Sequence, residues 1–204
     1  MYPSIKSYCA ELTGKFGIIP KERKELLEKI ARYIAQKQGV NRPANLVYIC
    51  THNSRRSHFG QVLAKVASEY YHIKNINTFS GGTEATAFNM NAINTLKRIG
   101  FKIKPLTVEN NSLYHVFYDD SQKPIECFSK VYNDPKNPQS EFAAIMTCSD
   151  AEENCPFIPG VELRIGTTYD DPKIFDNTLE QDEKYSERCR QIALETLYVF
   201  SKIK

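Results

Sequence analysis

Apolar residues along the chain fall into short runs and helical stripes that alternate from about residue 45 onward. Ahead of them, residues 20–39 carry Leu26, Leu27, Ile30, Tyr33 and Ile34 at helical spacing with Lys, Arg and Glu between, which predicts an amphipathic helix. Pro20 suits its first turn and Gly39 its end. A capping helix and a packing or dimer helix both fit that pattern. Residues 46–49 then form a buried strand candidate, and residues 57–71 a helix with Phe59, Val62, Leu63, Val66 and Tyr70 inward. Residues 76–79 predict a second strand, with Ser80-Gly81-Gly82 as its turn. Residues 90–99 predict a second helix, capped by Asn89 and stopped by Gly100. Strand, helix, strand, helix is an α/β order.

Residues 113–118 and 125–132 read as a hairpin across Asp119-Asp120-Ser121, followed by a loop at residues 133–138. Residues 142–147 and 163–166 are further strands, and residues 184–200 close the chain as a helix. The expected fold class is α/β. Residues 1–40 form an N-terminal helical extension and residues 41–204 the main domain, with a hairpin insertion around residues 110–140.

Composition narrows the function classes. The chain has 204 residues, 27 Lys plus Arg and 24 Asp plus Glu, a net charge of +3. That balance does not argue for nucleic acid or a membrane surface. No run approaches a spanning helix, and residues 1–7 lack a signal pattern, so the expected location is the cytoplasm. Persistent structural disulfides are uncommon there. The six cysteines, Cys9, Cys50, Cys127, Cys148, Cys155 and Cys189, are too scattered for a zinc site. Cys127 and Cys189 read as core residues, and Cys9 as a surface thiol in an irregular segment. No metal or cofactor is expected.

The strongest chemical signal is Cys50-Thr51-His52-Asn53-Ser54-Arg55-Arg56-Ser57, between a strand and a helix. A short loop wrapped at a helix start turns backbone N–H groups inward, where they hold a tetrahedral oxyanion. Arg56 can grip two anion oxygens with its planar fork. Cys50 is then the nucleophile, and Ser57 a hydrogen-bond partner for its sulfur. The alternative is a cysteine lying by chance near two arginines at a helix start.

Residues 47–61 resemble the phosphate loop of the low-molecular-weight protein tyrosine phosphatases and of their relatives, the thioredoxin-coupled arsenate reductases. Phe79-Ser80-Gly81-Gly82-Thr83-Glu84 is similar to the family's segment after the second strand. The resemblance implies a three-layer α/β/α fold around a central, mainly parallel four-stranded sheet. It implies oxyanion contacts from residues Thr51 to Arg56, with Asn53 and Ser80 supporting the loop and Asn53 bonding its backbone. His52 stands where the family usually has Gly, and Arg55 where arsenate reductases commonly have a cysteine.

Thr147-Cys148-Ser149-Asp150-Ala151 and Asn154-Cys155-Pro156 resemble the redox relay of those reductases, which phosphatases of the fold do not need. The implied cycle passes through a Cys50–arsenic adduct, a Cys50–Cys148 disulfide and a Cys148–Cys155 disulfide reduced by thioredoxin. The resemblance places the general acid at Asp171, directly before Pro172, with Asp170 as the alternative. Lys173 follows where phosphatases often carry an aromatic residue; Phe175 or Tyr169 could take that place. The expected function is therefore arsenate reduction. Hydrolysis of phosphotyrosine or aryl phosphates through a Cys50 phosphoenzyme is the alternative. A homodimer is left open.

Overall fold

The computed structural model describes residues 1–154 and 157–203. Four parallel strands form the central sheet: β1 (Ala44–Cys50), β2 (Ile76–Gly82), β6 (Phe142–Met146) and β7 (Val161–Gly166), in the order β2-β1-β6-β7. β1 lies inside, paired with β2 along its whole length and with β6 from Asn45 to Ile49. A strand with partners on both edges and cover on both faces reads as an apolar run, which is why residues 46–49 were legible.

Alternation along the strands divides the core. Leu46, Tyr48, Ala143 and Ile145 face the larger cluster, built with α2 (Lys21–Gly39), α3 (Arg56–Tyr70) and α6 (Gln181–Ser201). Val47, Ile49, Ala144 and Met146 face a smaller cluster with Cys148, Ala151 and Ile158. The short helix α5 (Ser149–Asn154) covers that side. The result is the expected three-layer α/β/α arrangement. α4 (Met90–Ile99) begins at Asn89, whose side chain accepts from Asn91 N and Ala92 N. It ends at Gly100, whose left-handed φ of 117° suits a residue without Cβ.

The N-terminus is not irregular. Pro3–Thr13 is a helix, α1, and Ile5, Cys9 and Leu12 repeat on its buried face. Cys9 is therefore a core thiol rather than a surface one, and burial pushes it up to about 12. Cys127 and Cys189 are buried, as expected of core residues.

The middle of the chain holds the hairpin, β4 (Tyr114–Phe117) and β5 (Ile125–Cys127), and an additional strand, β3 (Lys102–Pro105). Together they make an antiparallel sheet, β3-β4-β5. Residues beyond β5 do not continue it. They turn back along β2, where Gly82 N donates to Lys130 O at 2.9 Å and Tyr132 N to Gly82 O at 2.8 Å. Gly81 is required here, because a Cβ would lie 2.5 Å from Tyr132 Cα. The insertion thus braces the outer edge of the sheet beside the anion loop. Among the described residues, no helix is long and apolar enough to cross a membrane.

Candidate active site

Cys50 ends β1 and α3 starts at Arg56, so the five residues between them must turn sharply. Asn53 takes the left-handed conformation this needs, at φ 42°, which Asn tolerates better than most residues. Backbone bonds tie the loop to the segment after β2: Thr83 N donates to Cys50 O at 3.2 Å, Glu84 N to Thr51 O at 2.9 Å and Asn89 N to Ser54 O at 3.0 Å. Ser54 Oγ donates to Ala87 O at 2.7 Å. Gly82 permits this approach, since a Cβ there would sit 2.6 Å from Thr51 O and 2.7 Å from Asn53 N. The Gly81-Gly82 pair is thus explained by two close approaches on either side of β2's end.

Asn53 sets the chemistry of the nucleophile. Lys130 N donates to Asn53 Oδ1 at 2.9 Å, which fixes the amide so that Nδ2 donates to Ser57 Oγ at 2.8 Å. The same Ser57 Oγ lies at hydrogen-bond distance from Cys50 Sγ, 3.1 Å, so the Asn53 amide braces the hydroxyl that meets the nucleophile. The amide of Asn53 therefore bonds Ser57 and the insertion, not the loop backbone as expected. Ser80 also acts one layer further out, with Oγ 3.2 Å from His58 Nδ1. His58 is fully buried under the loop and stacked on Phe88 at 4.1 Å. Burial, reinforced by the Lys130 charge, holds its imidazole well below the ordinary value, so it is neutral.

The two arginines part company. Arg56 Nη1 donates to Tyr169 O at 2.8 Å and Nη2 to Asp171 Oδ2 at 2.6 Å. Its Nε is buried without a hydrogen-bond partner among the described residues, a donor of the kind an oxyanion satisfies. Arg55 turns away. Its Nε donates to Tyr185 OH at 2.6 Å and its Nη2 to Asp176 Oδ2 at 3.1 Å, while Tyr185 OH donates to Asp176 Oδ1 at 2.7 Å. The Arg55 guanidinium is a strut between the loop, α6 and the turn at Pro172–Phe175, so only its backbone remains an oxyanion candidate. The His52 ring lies at the rim, 4.0 Å from Glu84, and its carbonyl accepts from Ser129 Oγ and Thr86 Oγ1 at 3.0 Å each.

Asp171 also accepts from Lys173 N at 3.0 Å, capping the turn that follows. The Asp170 side chain is 92% exposed and pairs with Arg188, which leaves Asp171 as the carboxylate at the loop. Tyr169 is not available as an aromatic wall, being buried with its OH donating to Glu195 at 2.8 Å.

Cys148 comes to the loop. It is buried, with Sγ 3.4 Å from Thr51 Oγ1 and accepting from Ala151 N at 3.4 Å. Thr51 Oγ1 donates to Asp150 Oδ2 at 2.7 Å, joining the residue after Cys50 to the start of α5. The expected third thiol, Cys155, lies outside the described residues. Sequence reading missed His58, Lys130 and Asp176. Only the Ser80 motif hinted at a partner beneath the loop, and nothing in the sequence marked the other two. Among the described residues, no group of three His, Cys, Asp or Glu side chains could hold a metal ion.

The sheet order and the loop at the carboxyl end of β1 define the class: the chain has the fold of the low-molecular-weight protein tyrosine phosphatases. It matches the phosphatase of this kind from T. tengcongensis with a TM-score of 0.53, at 13% identity over 78% of this chain and 99% of that one. It also matches an arsenate reductase in the phosphate-binding state, with a TM-score of 0.50, at 16% identity over 79% of this chain and 99% of the other. Its sequence is also similar to curated arsenate reductases. It is 25% identical to the arsenate reductase of Bacillus licheniformis over 147 residues, 71% of this chain and 86% of that protein. No protein-family model matches the chain.

Proposed function

We propose that the protein reduces arsenate to arsenite, using Cys50, Cys148 and Cys155 in turn, with thioredoxin as the cytoplasmic electron donor. The observation that carries this reading is Cys148 Sγ at 3.4 Å from the hydroxyl of Thr51, the residue next to Cys50. A phosphatase has no use for a second thiol there.

The loop N–H groups and Arg56 hold the arsenate oxygens. The Cys50 thiolate attacks arsenic of dihydrogen arsenate, the Asp171 carboxylate passes the second substrate proton to the departing hydroxyl, and the S–As bond forms as the As–O bond breaks and water leaves. Arsenic is still pentavalent in this adduct. Cys148 then attacks the Cys50 sulfur. The electron pair of the S–As bond passes to arsenic, which leaves as arsenite, and a Cys50–Cys148 disulfide forms. Cys155 attacks Cys148, which frees Cys50 as a thiolate. A reduced dithiol protein of the thioredoxin class removes the Cys148–Cys155 disulfide. The two electrons come from Cys148 and Cys155.

Ser57 serves twice, hydrogen-bonding the attacking thiolate and then the Cys50 sulfur as it leaves. Lys173 after Pro172, in place of an aromatic residue, supports a small inorganic substrate over an aryl phosphate.

The test is a single turnover of the fully reduced Cys155→Ser protein with arsenate, followed by acid quench and peptide mass mapping. One equivalent of arsenite and a Cys50–Cys148 disulfide are expected. Arsenite released with both thiols free, or no arsenite at all, would contradict the relay.

A further inference from the structure

A second cavity, of about 360 Å³, lies between β2 and the insertion, away from the Cys50 loop. That volume suits a small organic ligand. Phe79 and Phe128 line it, together with Lys123, Lys130 and Lys136 and one carboxylate, Glu126.

Lys130 is the unusual member. It is only 5% exposed, although lysines ordinarily run their ammonium out to water. Its ammonium lies 4.5 Å over the Phe128 ring, and no carboxylate forms an ion pair with it among the described residues. Glu126 and Asp134 act on it only at longer range. Burial disfavours the charged form of this lysine, and an anionic ligand in the cavity supplies the partner that the charged form lacks. Lys123 and Lys136 are exposed, so they add charge at the rim without needing a partner of their own.

We propose that this cavity binds a phosphorylated ring compound of mononucleotide size, with its phosphate on Lys130 and the rim lysines and its ring against Phe79 and Phe128. No residue of the Cys50 loop lines this cavity. The cavity is nonetheless wired to that loop, because Lys130 N holds Asn53 Oδ1 at 2.9 Å and Lys130 O accepts from Gly82 N. A ligand that shifts Lys130 therefore shifts the Asn53 and Ser57 pair behind Cys50.

The experiment is calorimetric titration of AMP and UMP, and separately inorganic phosphate, into full-length protein whose Cys50 has been alkylated to block the loop. Saturable one-to-one binding of a mononucleotide is expected. Lys130→Met should weaken it at least about tenfold, as for loss of a hydrogen bond to a charged group. Lys136→Glu, at the exposed rim, should weaken it with an unchanged Tm, which keeps the test decisive if Lys130→Met folds poorly. No saturable mononucleotide binding, or equal affinity in wild type and Lys136→Glu, would overturn the proposal. Inorganic phosphate binding as tightly as AMP would overturn the assignment of a ring compound.

Discussion

Arg56 Nη2 donates to Asp171 Oδ2 at 2.6 Å, so the residue read as the anion's grip holds the residue read as the general acid. An incoming oxyanion competes with that carboxylate for the same guanidinium. Asp171→Asn removes the competing charge and the acid together. Inorganic phosphate should then bind more tightly, while turnover falls by about 100-fold, the lower range for loss of a general acid. Parallel phosphate titration and steady-state kinetics check this; weaker phosphate binding would show that Asp171 is not a competitor.

Arg55 and Arg56 should separate cleanly. Arg55→Met cuts the strut to Tyr185 and Asp176. It should destabilise the fold by about 2 kcal/mol, less than a fully buried pair because Asp176 is partly exposed, and leave phosphate binding in the folded protein largely intact. Arg56→Lys should do the reverse, with near-normal stability and phosphate affinity reduced at least about tenfold. Urea unfolding and phosphate titration of both variants read the two effects.

Gly82→Ala tests the close approach of β2 to the loop. The new Cβ would press on Thr51 O and Asn53 N, both backbone atoms with little room to yield. A stability loss of about 1–3 kcal/mol is expected, with anion binding impaired because the displaced atoms belong to the loop itself. Thermal melts with and without phosphate check it, and a smaller phosphate-induced rise in Tm than in the wild type is the predicted sign.

His58 gives the protein an acid-side weakness. Burial holds the folded imidazole well below its ordinary value, whereas the unfolded chain takes up a proton near 6.5. The stability this group contributes is present above about pH 6.5. It is lost as pH falls below that, by about 1.4 kcal/mol per pH unit, until the folded imidazole itself titrates. Urea midpoints between pH 7 and pH 5 should fall more steeply for the wild type than for His58→Gln. Identical slopes would contradict the neutral buried imidazole.

Much of this was legible because local signals agreed with the tertiary outcome. α4 has a cap residue, a periodic face and a left-handed glycine stop, and the three agree. β1 is apolar because both of its faces are covered. Other elements were hidden. α1 carries its buried stripe, Ile5, Cys9 and Leu12, among polar neighbours that dilute the period. β3 buries only Ile103 and depends on β4 for its existence. In the site, residue types and spacing pointed to Cys50 and Arg56, while Cys148 and Asp171 were singled out only through the family resemblance. The direction of a side chain was not legible. Arg55 faces away because Tyr185 and Asp176 wait more than 120 residues downstream, and Asn53 turns to Ser57 because Lys130 holds its other end.

The central claim is that the protein runs a three-thiol reduction. Its most direct test is arsenate-dependent NADPH oxidation with purified protein, thioredoxin and thioredoxin reductase, wild type beside Cys148→Ser and Cys155→Ser. The account predicts sustained turnover for the wild type and none for either variant. Absence of turnover in the fully reduced, folded wild type, or a full rate in Cys155→Ser, would contradict it.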